Sequence, residues 1–306
     1  LPADPLIWLA RQGRFVLVAG LVAGVALPGV AAVLRPWVPE MVAGLLFLGA
    51  LRVGPGVLDG ALRALPLTLA VVLVAQLALP LAIIAGAGAL GLGHGPTLLA
   101  LVMMAAAPSI ISAPNMCLML GVPPAFAMRL LVLGTALLPI TVIPVFWALP
   151  DLGTVAEVLA AALRLLAVIV LATGAGFALR ALVWRAPGAM ALARLDGVSA
   201  LALAVFVIGL MPAVASALQG GVVGYWLALV LAVNFGLQAL AWLALRRRGA
   251  DLAVPVSIVA GNRNIALFLV ALPGEITAPA MVFIGCYQIP MFLTPLILGR
   301  IYRSPA

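Results

Sequence analysis

The chain has 306 residues, 66% of them hydrophobic and 8% charged, and a mean hydropathy of +1.33. No water-soluble core can enclose that much apolar surface, so the composition excludes a soluble globular protein and implies a membrane protein. The net charge of +8 comes from arginine alone, since the chain has no lysine; the arginines fall mostly between apolar runs, where they report topology, and nucleic acid is not an expected partner.

The first apolar run, from Phe15, is long enough to span a bilayer and lacks a small-residue cleavage site, so it is expected to remain as a helix and not act as a cleavable signal peptide. From there, hydropathy and Gly/Pro punctuation predict ten spans, at about 15–34, 38–53, 65–92, 97–120, 124–148, 156–184, 197–216, 222–245, 253–272 and 277–301. No polar stretch is long enough to form a soluble domain. Span three carries Gln76 as its strongly polar residue, followed by Pro80. Span four is interrupted by Pro108-Ser-Ile-Ile-Ser-Ala-Pro114-Asn115, where two prolines remove backbone donors. Span five contains Pro139 and Pro144. Span nine is interrupted by Gly261-Asn262-Arg263-Asn264, and span ten repeats the Pro-x4-Pro spacing at Pro290 and Pro295, about 150 residues after the first pair.

Placing the N-terminus in the cytoplasm puts Arg11, Arg14, Arg52, Arg63, Arg129, Arg180, Arg185, Arg194, Arg246, Arg247, Arg248, Arg300 and Arg303 on that side. Arg35, His94, Asp151, Glu157 and Glu275 fall on the other. This asymmetry predicts both termini in the cytoplasm and an even number of spans, in a bacterial-type inner membrane. The matching interruptions and proline spacings divide the chain into residues 1–150 and 151–306. Five spans per half is odd, so the second half is expected to be an inverted copy of the first. Paired interrupted segments in an inverted repeat point to a binding site near the membrane midplane.

Arg263 is the most informative residue, because a guanidinium at the centre of a span costs roughly 2.5–3.5 kcal/mol. It reads as the counter-ion of a small organic anion held by two parallel hydrogen bonds; the other reading is a cap for the carbonyls of a broken helix. Asn262 and Asn264 flank it, while Asn115, Ser109 and Ser112 form the matching polar group of span four. Gln76 is either a site residue or an interhelical hydrogen-bond partner, and Thr135 and Thr141 are weaker candidates. His94 reads as a solvated loop residue. Cys117 and Cys286 suggest neither a disulfide nor a metal site. Nothing resembles a phosphate-binding loop, a zincin helix or a nucleophile elbow, so no catalytic residue and no cofactor are expected.

Taken together, Gln76 with Pro80, the Ala107-Pro108 to Asn115 break, the proline-rich span five and Gly261-Asn262-Arg263-Asn264 resemble the bile acid:sodium symporter family along essentially the whole chain. Auxin-efflux-type carriers share the same crossover architecture. The resemblance implies an all-α fold of ten transmembrane helices in two inverted five-helix repeats, with helices four and nine broken and crossing, divided into a panel and a core domain. It also implies secondary transport by alternating access. The chain departs from the family's Glu-x-Gly-x-Gln-Asn motif: aligned on Gly261, the sodium-ligating Glu becomes Val259 and the Gln becomes Arg263. The Ser/Thr ligands of helix five are largely apolar here, Thr135 excepted, and the span-four break is one residue longer. The expectation is therefore a sodium-independent transporter of small organic anions embedded in the lipid bilayer, with no metal, and with oligomeric state left open. The alternatives are a sodium symporter with rearranged ligands, a non-transporting membrane sensor, and a carrier of lipid-like substrates in which Arg263 stands in for the cation.

Overall fold

The structure is a computed structural model that describes residues 4–56, 64–149 and 154–303. Arg63 and Asp151, assigned to opposite sides above, lie outside the described residues, as does the boundary between the two halves at 150. Among the described residues the fold is all-helical, with no β-strand and one isolated backbone bridge. Seven helices are long and apolar enough to cross a membrane. The bent pair α1 (Pro5–Arg11) and α2 (Gly13–Ala26) supplies an eighth if its two parts form one span.

In chain order, α3 (Pro28–Leu34) passes through a single 3-10 turn, Arg35–Trp37, into α4 (Val38–Val53). The sequence placed the first interhelical break at this Arg-Pro-Trp. The structure puts it at Leu27, whose φ and ψ of −118° and 67° leave the helix just before Pro28. A proline disfavours helical backbone in the residue before it, and suits the first turn of the next helix. Pro36 also lies in a first turn, so it bends nothing. Next come α5 (Leu65–Ala89), α6 (Pro96–Ala106), α7 (Ala113–Met119), α8 (Ala125–Trp147), α9 (Val155–Leu182) and α10 (Ala189–Gln219). They are followed by α11 (Val223–Leu245), α12 (Ala250–Gly261), α13 (Phe268–Ala271), α14 (Gly274–Ile297) and α15 (Gly299–Arg303). The prolines of α8 and α14 sit inside continuous helices and do not interrupt them.

The chain forms two compact units, each drawn from both halves of the sequence. The first comprises Leu1–Gly56 and Ala167–Gly224. Its long helix α10 packs on α1, α2 and α3 through glycines that admit close backbone approach. A Cβ at Gly197 would run into the Leu6 carbonyl, and one at Gly20 would lie 2.9 Å from the Ala204 carbonyl. Arg52 pairs with Asp196 at 2.7 Å and Arg194 with Asp4 at 2.6 Å. The hydrogen bond from Arg194 holds the Asp4 carboxyl below its ordinary value, but both pairs are partly exposed, where such bridges contribute little.

The second unit comprises Val57–Leu166 and Tyr225–Ala306. Two of its apolar helices, α6 and α12, have 11 and 12 residues. At about 1.5 Å per residue each covers roughly half of a bilayer core. The core around them is apolar: α6 is buried along nearly its whole length, and Phe146 packs against Phe268 with ring centroids 5.4 Å apart.

Candidate functional site

Both short helices stop where the sequence breaks them. After α6, Ala107 is extended (φ −66°, ψ 150°), as a residue before proline prefers, and helix resumes only at Ala113. After α12, Asn262 and Asn264 leave the helical region, with φ and ψ of −112°, 96° and −87°, 67°. The two unwound segments lie against each other as an antiparallel bridge between Ser109 and Arg263. Ile110 N donates to Asn262 O at 3.2 Å, and Asn264 N donates to Pro108 O at 2.8 Å. Irregular backbone at membrane depth must find such internal partners.

The Arg263 side chain is 2% exposed, and its hydrogen-bond partners among the described residues are all backbone carbonyls. Nε donates to Ala260 O at 3.1 Å, Nη1 to Ala107 O at 3.1 Å, and Nη2 reaches Ala75 O at 3.5 Å. Each carbonyl has lost its helical donor to a local break. The usual partner of Ala260 O is the Asn264 amide, which instead serves Pro108. Ala107 lies past the end of α6. Ala75 lies in a π-turn, Val74–Ala78, where the Leu79 amide bonds Val74 O; Pro80, next in line, has no N–H. One guanidinium thus gathers carbonyls freed from three helices. Neither ion pair among the described residues involves it.

The remaining candidates divide. Asn262 is fully buried: its Nδ2 donates to Ile258 O at 2.8 Å, and its Oδ1 accepts from Thr294 Oγ1 at 3.2 Å. Ser109 is buried at the bridge and donates locally to Ile110 O. Gln76 is buried in the π-turn with its Oε1 unpaired, against Gly134 of α8, where a Cβ would lie 2.8 Å from Gln76 Nε2. Asn264 and Ser112 are half-buried, and Ser112 precedes α7 without capping it through its side chain. Asn115 is exposed on α7 and Thr135 is half-buried on α8, so neither joins the hydrogen bonds at the bridge. Cys117 and Cys286 are free and buried.

The sequence reading missed a buried polar cluster behind the bridge. Asn234 and Gln238, four residues apart on one face of α11, are fully buried. The Nδ2 of Asn234 and the hydroxyl of Tyr287 both donate to Gly261 O. Gln238 Nε2 donates to Asn234 Oδ1 at 2.6 Å and Thr294 Oγ1 at 3.0 Å, and Tyr302 Oη donates to Gln238 Oε1 at 3.1 Å. Two amides at helical spacing in an apolar span were the available signal. Gly261 is required here, since a Cβ would strike the Asn234 carbonyl and the Gln238 side chain. In comparisons with known proteins, the chain matches no family model and no curated protein.

Proposed function

We propose that the chain is a secondary transporter working by alternating access, in which Arg263 is a fixed internal cation that replaces a coupling ion. The observation that carries this reading is the convergence of Ala75, Ala107 and Ala260 carbonyls on one buried guanidinium. Carbonyls freed by helix breaks are the hard oxygen ligands that sodium takes in transporters of this kind. Here a permanent positive charge already occupies their reach, and Val259 offers no carboxylate. The crossing of two half-length helices, and units that each draw on both halves of the chain, support ten spans in two inverted repeats in a bacterial-type inner membrane.

The same observation bears on the substrate. A guanidinium whose fork is taken up by carbonyls at 2% exposure is not presented to a ligand. The geometry therefore favours a carrier of amphipathic, lipid-like solutes over one that anchors a small organic anion on Arg263. The organic-anion reading keeps one supporting observation: no described carboxylate pairs with Arg263, so its charge leaves a positive potential at the crossing.

The test has two arms. Melting curves of the purified protein in NaCl and in KCl at equal ionic strength should coincide; a sodium-specific rise in Tm would overturn the fixed-cation reading. A proteoliposome uptake screen should return neutral or zwitterionic amphipaths among its substrates. A set of substrates confined to anions would return the anchoring role to Arg263.

A further inference from the structure

Helices α4 and α9 flank an open groove of about 410 Å³ walled by Ala43, Gly44 and Phe47 on one side and Val168, Leu171 and Ala172 on the other. These positions follow Glu40 by three, four and seven residues, and Arg164 by four, seven and eight. At 3.6 residues per turn, Glu40 and Arg164 therefore stand on the groove-facing stripes of their own helices, about one turn before the groove begins. Helix α9 is uninterrupted, so the place of Arg164 relative to Val168 is set by that helix alone. Beyond the groove, Gly176 packs on the Phe47 carbonyl and Ala50, so residue numbers rise together along both walls and the two charges lie at the same end.

Both side chains are exposed, neither takes part in an ion pair among the described residues, and helical side chains lean toward the helix N-terminus, away from the apolar floor. Trp37, exposed one turn before Glu40, is the type of residue that marks the interfacial layer. Among the described residues, the other charges on the segments leading into α4 and α9 at this end are Arg35, exposed in the preceding 3-10 turn, and Glu157, whose carboxylate is engaged by Thr154 in its own helix cap.

An unpaired guanidinium about 14 Å along a lipid-facing helix needs an anionic partner at headgroup depth. A bare anion would also meet the Glu40 carboxylate. A headgroup with both phosphate and primary ammonium satisfies the two side chains together. We propose that this groove binds an aminophospholipid, with one acyl chain along the apolar walls, the phosphate on Arg164 and the ammonium on Glu40.

The inference is independent of transport, and so is its test. The detergent-purified protein is incubated with equimolar dioleoyl phosphatidylethanolamine and dioleoyl phosphatidylglycerol, and retained lipid is counted by native mass spectrometry. Ethanolamine-lipid adducts should exceed glycerol-lipid adducts by about threefold, because both lipids offer Arg164 a phosphate and the preference is the effect of the one exposed ammonium contact to Glu40. The double substitution Glu40→Gln with Arg164→Gln, at two exposed positions, should bring the two lipids to parity. Parity or a glycerol-lipid excess on the wild-type protein would overturn the proposal, as would an unchanged preference in the double variant.

Discussion

Arg263→Gln is expected to lower the melting temperature of the protein steeply. The substitution removes the donors that reach Ala75, Ala107 and Ala260 carbonyls, and a glutamine amide can serve at most two of them. Hydrogen bonds to a charged group contribute about 1.5–3 kcal/mol each. Relief from burying a guanidinium returns roughly 2.5–3.5 kcal/mol. The carbonyl side wins, leaving a net loss on the order of 2–5 kcal/mol and a fall in Tm on the order of 10 °C. Arg263→Lys should recover only part of this, because an ammonium is a point charge that cannot fan out to carbonyls on three helices. Thermal unfolding of both variants in detergent is the measurement. An unchanged Tm in Arg263→Gln would mean that the carbonyls do not depend on the guanidinium, and would leave it free to serve a ligand.

Gly261→Ala should be similarly damaging, for a steric reason. The added methyl would strike the backbone carbonyl of Asn234, which belongs to a helix and cannot step aside, as well as the Gln238 side chain. It would also push the Gly261 carbonyl away from Asn234 and Tyr287, both of which donate to it. Overpacking a core costs typically 1–3 kcal/mol before any lost hydrogen bond is counted. Gly134→Ala is the informative control. There the nearest atom is the end of the Gln76 side chain, which can rotate, so a loss of below about 1.5 kcal/mol is expected. If the two variants melted at the same temperature, the claim that Gly261 is needed for backbone contact would fail.

The crossing was legible in the sequence because the residues that end helices are few and chemically loud. Pro108, Pro114, Gly261 and the two asparagines around Arg263 announce where backbone must leave the helix. The proline in Pro28 was equally visible, yet the first break was assigned to Pro36. A proline in a first turn and a proline that ends a helix look alike until the preceding residue's backbone is known. The π-turn at Val74–Ala78 was not legible, since a shift of one hydrogen-bond register leaves no compositional mark beyond Pro80. What Arg263 touches depends on that turn, so its partners could not be read either. Asn234 and Gln238 passed unnoticed because an amide in an apolar span is ordinarily interhelical glue. Their importance comes from Gly261 arriving beside them, a contact between α11 and α12 that periodicity within either helix does not encode.

The hydrogen bonds that tie the two unwound segments together, Ile110 to Asn262 and Asn264 to Pro108, run between main-chain atoms. These two bonds therefore do not depend on the side chains of the residues that make them, and the Arg263 guanidinium adds a side-chain tie to Ala107 O across the same segments. Ser109 can change without loosening it, while proline at Ile110 or Asn264 would delete a donor and open it. Positions whose side chains make no bond across the junction can be redecorated one by one while the main-chain geometry that makes it a junction stays intact.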